Sequence, residues 1–142
     1  MSEFDPDIKN CWVTWHEVGF GITELLCFSK KCVHPIGMIW AQIVGRGDAG
    51  KVRAEIFSSF TIHWARRKGV RTLLNRTLFE KFECDLITTV GSTKTGRPFL
   101  RRSGYELDRK STLWILTRRK FEQMQRRRRR APGRGKKTSR TR

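Results

Sequence analysis

Six consecutive residues, Arg66-Arg67-Lys68-Gly69-Val70-Arg71, carry the most readable chemistry in this chain of 142 residues. From Val70 onward, Val70, Leu73, Leu74, Leu78 and Phe82 recur at three- and four-residue spacing, one face of an amphipathic helix. A glycine and several cations therefore stand where a helix begins. Free backbone N–H groups, the positive end of a helix dipole and mobile counter-charges are what a pyrophosphate needs. The strand-like alternation from Arg53 to Ile62 carries one acid, Glu55. A carboxylate half-buried on a sheet can have its pKa raised toward neutrality and so deprotonate an ammonium group, directly or through water. A strand carboxylate can equally face solvent with no such role, and the sequence leaves both readings of Glu55 open.

Charge is the second signal. The formal net charge is +18, and thirteen Lys and Arg with one acid, Glu122, fall in 118–142, net +12 against +6 for residues 1–117. This divides the chain into a domain, 1–117, and a basic Arg-rich tail, 118–142. Arg126, Arg127, Arg128, Arg129 and Arg130 are consecutive, and Arg134, Lys136 and Lys137 follow among Ala, Pro and Gly. That composition buries too little apolar surface to fold alone, so the tail is expected to be disordered until it meets an anion. Arginine-rich arms bind nucleic acid by releasing counterions and read no bases. Nucleic acid is favoured over membranes and acidic proteins, because no acylation signal or amphipathic helix accompanies the run. Between Arg118 and Arg126, Phe121 and Met124 make a poor apolar face, and the segment reads as a solvated connector.

The elements that must position these residues follow from periodicity. Trp12 to Val18 reads as a strand ending at Gly19 and Gly21, while Gly21 to His34 fits helix or strand equally. Ile36 to Val44 is a nearly continuous apolar run, too short for a typical helix. It reads as a central strand that turns at residues 45–50 and returns as Arg53 to Ile62. After the helix from Val70 to Phe82 come a buried-type strand, Asp85 to Val90, a short helix, Arg97 to Arg102, and a final strand or hairpin, Tyr105 to Leu116. The four cysteines, Cys11, Cys27, Cys32 and Cys84, lack CxxC spacing and read as buried thiols rather than bridges. Cys27-x4-Cys32-x-His34 fits zinc poorly, so no metal is expected. The acidic opening Met1-Ser2-Glu3-Phe4-Asp5-Pro6-Asp7 lacks the order of a signal peptide, and no apolar run approaches the ~20 residues of a membrane helix. A soluble, cytoplasmic protein is the expectation.

Three matches in order along the chain resemble the GNAT superfamily of acyl-CoA-dependent N-acetyltransferases. Arg66-x-x-Gly69-x-Arg71 resembles its pyrophosphate loop, Gln/Arg-x-x-Gly-x-Gly/Ala, with Arg71 where the family has a small residue. Ala54-Glu55-Ile56 resembles its fourth strand, with Glu55 at the spacing of members whose strand glutamate is the general base. Phe99-Leu100-Arg101-Arg102-Ser103-Gly104-Tyr105 resembles its Leu-Tyr-x-x-x-Gly-Phe ending, with Leu100 where active members carry the tyrosine that protonates the CoA thiolate. The resemblance implies an α/β (α+β) fold, a mixed, mainly antiparallel sheet flanked by helices. It implies acetyl-CoA as co-substrate, held by Arg66, Arg67, Lys68, Gly69, Val70, Arg71 and Thr93, with Glu55 catalytic and an amine as acceptor. Tyr105, the sole tyrosine, falls at a core-facing Phe position and reads as a packed aromatic.

The alternative is a non-catalytic GNAT-fold protein associated with nucleic acid or an assembly. Small, divergent GNAT-like proteins occur among tailed-phage proteins, including virion proteins, which would place the chain in a host cytoplasm or a virion. His63, beside the loop, reads either as a base or phosphate donor or as a structural residue, and His16 and His34 show no recognisable partner.

Overall fold

The computed structural model describes residues 10–45, 51–91 and 96–128. Trp12, Val13, Thr14 and Trp15 are of the aromatic and β-branched types that suit a pleated, half-buried surface. They lie in β1 (Cys11–Gly19), paired antiparallel with β2 (Ile22–Ser29). The segment open between helix and strand is thus strand, comprising β2, a turn at Lys30 and Lys31, and the start of β3 (Cys32–Val44). In β2 burial alternates, with Thr23, Leu25, Cys27 and Ser29 buried. Two flanking strands impose that period over the helix-like spacing of Ile22, Leu25 and Leu26.

β4 (Arg53–Thr61) pairs antiparallel with β3, the expected hairpin. The chain then crosses through helix α1 (Val70–Glu80) to β5 (Leu86–Thr89), which lies parallel to β4. Helix α2 (Gly96–Arg102) leads to β6 (Glu106–Asp108) and β7 (Leu113–Thr117), and that terminal hairpin joins β5 antiparallel through β7. The sheet order is β1-β2-β3-β4-β5-β7-β6, with β4–β5 the parallel pair. This is the mixed, mainly antiparallel α+β architecture expected.

α1 packs closely because β3 offers a glycine beneath it. A Cβ on Gly37 would lie 2.4 Å from Val70 Cγ1, so the bare backbone admits the first turn of the helix. Val70, Leu74 and Leu78, spaced by four, bury against the sheet, and Phe82 beyond the helix meets Trp15 edge-on at 5.5 Å. Asn75, although polar, does not face solvent. It is buried beneath Tyr105.

Residues 118–128 form a third helix, α3, in place of the solvated connector expected from 118 to 126. The phenyl ring of Phe121 explains it: it is buried 5.1 Å from the Phe79 ring. Arg118 donates to the carbonyls of Phe79 and Cys84 at 2.5 and 2.9 Å, a cation at the C-terminal end of α1 where the dipole favours it. Arg76 donates to Gln125 at 3.2 Å, and Arg128 donates to Thr72 at 3.1 Å. The partners 79, 76 and 72 descend α1 as 121, 125 and 128 ascend α3, so the two helices run antiparallel.

The three helices among the described residues lie on one face of the sheet. The core rows Val13–Cys27–Gly37–Thr61 and Trp15–Leu25–Ile39–Ser59 lie toward α1. Leu100 of α2 meets Trp114, and Met124 of α3 lies over Gly104. The opposite face of β1–β4 carries Trp12–Phe28, Thr14–Leu26–Met38–Phe60 and His16–Glu24–Trp40–Ser58, with no helix over it among the described residues. No disulfide joins the four cysteines; Cys27 and Cys84 are fully buried, whereas Cys11 and Cys32, expected to be buried as well, are half-buried. Burial pushes the Cys27 thiol up to about 12, aided by neighbouring Cys11, and the Cys84 thiol up to about 11. No described helix is long and apolar enough to cross a membrane.

Candidate active site

β4 and β5 pair from Arg53–Leu86 to Ile56–Thr89, and there the pairing ends while β4 continues to Thr61. Phe57 marks the fork. Trp40 pairs with Ser58 and Ala41 with Ile56, so Phe57 is an extra residue without a partner on β3, a β-bulge that bends the strand. Its ring is 58% exposed. The gap lies at the carboxyl ends of two parallel strands, the edge where open α/β sheets bind ligands.

Beyond β4 the chain makes a 3-10 turn at His63–Ala65 and enters the basic loop. Arg67 has φ 64 and Gly69 φ 92, both left-handed, and Gly69 is the N-cap of α1. A non-glycine residue in that region costs about 1–3 kcal/mol, and such positions cluster at ligand clamps. Gly69 supplies no side-chain acceptor to the helix, whose opening N–H groups have no intrahelical partner. Arg66 donates Nε–H to the Thr61 carbonyl at 3.2 Å, while the side chains of Arg67 and Lys68 meet no partner among the described residues. The loop is therefore an N–H-lined corner with free cations beside it. His63 is exposed at its entrance.

The remaining sequence-derived candidates separate. Val70 contributes its backbone to this corner, but its side chain is core. The Arg71 side chain leaves the loop altogether. Its Nε donates to Asn75 Oδ1 at 3.2 Å and a terminal N–H donates to the Tyr105 hydroxyl at 3.3 Å, with its guanidinium 5.7 Å from the Phe99 ring centroid. The large residue at the family's small position is thus folded along α1 by a buried polar network. Thr93 lies outside the described residues.

Glu55 stands next to the fork, across from Gln42 on β3 and Thr88 on β5. Its side chain is 31% exposed, and Oε2 lies 2.8 Å from Nε of Arg53. Leu100 is buried under Gly91 and Trp114 and has no proton to give. Tyr105 is the packed aromatic expected, 2% exposed, and its hydroxyl donates to Asn75 at 3.4 Å.

The antiparallel course of α3 brings Arg128 to Thr72 in the first turn of α1, just after the basic loop, with Arg126 and Arg127 immediately before it on the helix. These three are helical and exposed, contrary to an arginine run disordered along its length. Docking of α3 on α1 through Phe121 carries the helix that far. Arg129, Arg130, Arg134, Lys136 and Lys137 lie outside the described residues.

Two features escaped the sequence. One is the Phe57 bulge, which no residue type signals. The other is a concavity of about 600 Å³ at the end of β5, where Arg97, Arg101 and Arg109 surround Gly91 and Trp114. Arg101 lies 5.4 Å from the Trp114 ring centroid, and Arg97 donates to the Gly91 carbonyl at 3.1 Å. These arginines come from a helix and a turn with no common spacing. Among the described residues no group of three or more His, Cys, Asp or Glu could hold a metal ion.

The sequence matches no protein-family model and no curated protein. The fold does have solved counterparts. Arabidopsis thaliana NAA60 in complex with a bisubstrate analogue superposes at TM-score 0.52 and 13% identity, over 70% of this chain and 76% of that one. NAA60 in complex with acetyl-CoA gives TM-score 0.52 over 70% and 78%. A protein from Exiguobacterium sp. 255-15 assigned to the acetyltransferases gives TM-score 0.51 and 15% identity, over 75% and 70%. The chain has the GNAT acetyltransferase fold.

Proposed function

We propose that the chain binds acetyl-CoA along the β4–β5 fork and transfers its acetyl group to an amine. The observation that carries this reading is the glycine-capped, cation-flanked start of α1 directly after a bulged β4, on a fold shared with a protein crystallised with acetyl-CoA. The opening N–H groups of α1 and the backbone of Gly69 would receive the pyrophosphate, with Arg67 and Lys68 as mobile counter-charges. Acetyl-CoA supplies an activated thioester. Glu55 takes one proton from the ammonium form of the acceptor once that amine displaces Arg53, the new C–N bond replaces the C–S bond, the nitrogen gives its second proton to solvent as the amide forms, and solvent protonates the departing thiolate. Leu100 and Tyr105 take no part in that proton delivery. Isothermal titration with acetyl-CoA tests the reading: saturable binding is expected for the intact chain and none for Gly69→Glu. Absence of heat at millimolar acetyl-CoA overturns it.

A polyanion-binding role for the basic tail has its own support. Arg128 bonds to Thr72 in the first turn of α1, directly after the loop that carries Arg66, Arg67 and Lys68, which supports one phosphate chain reaching both segments. Nucleic-acid retention at low salt, falling steeply as salt rises, is the expected outcome. In the alternative, a non-catalytic nucleic-acid or assembly protein, retention is present and acetyl-CoA binding absent. The lack of a proton donor at Leu100 favours that version.

A further inference from the structure

The bare face of β1–β4 differs in character from the rest of the molecule. Its rows place Trp12, Phe28, Leu26, Met38, Trp40 and Phe60 side by side across four strands. Trp12 is 47%, Trp40 38% and Phe60 52% exposed, and Trp12 stacks on Phe28 at 5.8 Å. A covered aromatic side chain buries about 150–250 Å², so these three leave roughly 200–350 Å² of ring surface in water. Contiguous apolar patches of a few hundred Å² mark interaction sites.

Charge identifies the occupant. The helical layer is strongly basic, with Arg66, Arg67 and Lys68 before α1, Arg97, Arg101 and Arg102 on α2, and Arg126 to Arg128 on α3. The strands β1–β4 carry one Lys or Arg, Arg53, and two histidines, His16 and His34. His16 lies 3.0 Å from Glu24, and Arg53 lies 2.8 Å from Glu55. The indole N–H of Trp40 donates to Glu24 at 2.7 Å. A polyanion would find aromatic rings there but no unpaired Lys or Arg on the strands, whereas a second copy would find a largely apolar surface of little net charge. Four strands about 4.8 Å apart, over eight residues of about 3.3 Å, span roughly 500 Å² in projection. Side-chain relief brings that toward the about 800 Å² per partner of a standard interface.

We propose that two copies pack back to back through the exposed faces of β1–β4, related by a twofold axis near Met38 and Trp40. Such a pair turns both basic helical layers outward, so repulsion between them is least and each dimer offers two polyanion-binding sides. Gln42 and Glu55 form the next row of the same face beyond Trp40, so this dimer and access of an amine to Glu55 compete, and self-association is read independently of acetyl transfer.

Sedimentation velocity on the intact chain at about 0.5 M salt, where screening shortens to under about 5 Å, removes tail-mediated association. A concentration-dependent dimer is expected between about 1 and 100 μM. Phe60→Arg should weaken dimerisation about thirtyfold or more, as for a central interface residue. Thr14→Arg, which removes no core contact, should weaken it as well, so a folding defect at Phe60 cannot mask the outcome. Replacing Arg126, Arg127 and Arg128 by alanine should leave it unchanged. A monomer at every concentration, including one whose face is covered by its own terminus, overturns the proposal. So does a dimer indifferent to both face variants. Quenching of tryptophan fluorescence by single-stranded DNA that Thr14→Arg leaves intact or strengthens, without dimerisation, would assign the face to nucleic acid instead.

Discussion

Arg71 offers the sharpest separation of sequence expectation from structure. As a phosphate ligand it should matter for binding and little for stability, whereas its contacts say the reverse. Its guanidinium bonds to Asn75 and Tyr105, each only 2% exposed, and lies near the Phe99 and Tyr105 rings. Hydrogen bonds to a charged group contribute about 1.5–3 kcal/mol, and a partly exposed cation–π contact adds about 0.5–1 kcal/mol. Discounting for partial exposure, Arg71→Ala should cost about 2–3 kcal/mol in urea unfolding. At about 4 °C per kcal/mol for a domain of this size, the melting temperature should fall by about 8–12 °C. Arg71→Lys should recover a minor part, since an ammonium cannot span both acceptors as the planar fork does. A cycle with Tyr105→Phe should give a coupling of about 0.5–1.5 kcal/mol. Acetyl-CoA affinity should change less than about threefold, well under 1 kcal/mol. If Arg71→Ala unfolds within about 0.5 kcal/mol of the parent, as ordinary surface substitutions do, or the two substitutions are additive, the structural role is refuted.

Other outcomes follow from single contacts. Gly37→Ala should destabilise by about 1–3 kcal/mol through overpacking against Val70, and Val70→Ala should recover part of that loss in the double variant. Phe121→Ala should cost about 3 kcal/mol and expose the Arg118–Arg128 helix to proteolysis, since its ring is what seats α3 on Phe79. The buried thiols set a pH limit. Cys27 and Cys84 are raised from 9.0 to about 12 and about 11, so the folded chain keeps protons that the unfolded chain releases. Their contribution is intact below pH 9 and declines above it, by up to about 1.4 kcal/mol per pH unit for each thiol. Denaturation at pH 8 and pH 10 should show the loss, and Cys84→Ala should lessen it.

Much of the fold was legible where a segment carries its own signal. The Val70–Phe82 periodicity, the Ile36–Val44 run and the Arg53–Ile62 alternation each gave an element close to its observed bounds. Gly21 to His34 was not legible, because its alternation is enforced by β1 and β3 across it. α3 was missed because one phenyl ring and one thioether look weak in isolation, and Phe121 gains its worth from Phe79, forty-two positions away in the chain. The site divides the same way. Gly69 and its flanking cations read locally, since a helix start is a local event. Where Arg71 points, the Phe57 bulge and the gathering of Arg97, Arg101 and Arg109 depend on contacts between distant segments. His16 found its partner only when β1 and β2 paired in the register that sets it opposite Glu24.

The most direct test of the central reading is an amide-resolved NMR titration of the intact chain with acetyl-CoA. Saturable shifts should concentrate at Arg67 to Thr72 and at Phe57 and Ser58, where the first-turn N–H groups and the strand fork lie. They should be absent in Gly69→Glu. No shifts at millimolar ligand, or shifts confined to the arginine tail, would contradict acetyl-CoA binding at this site.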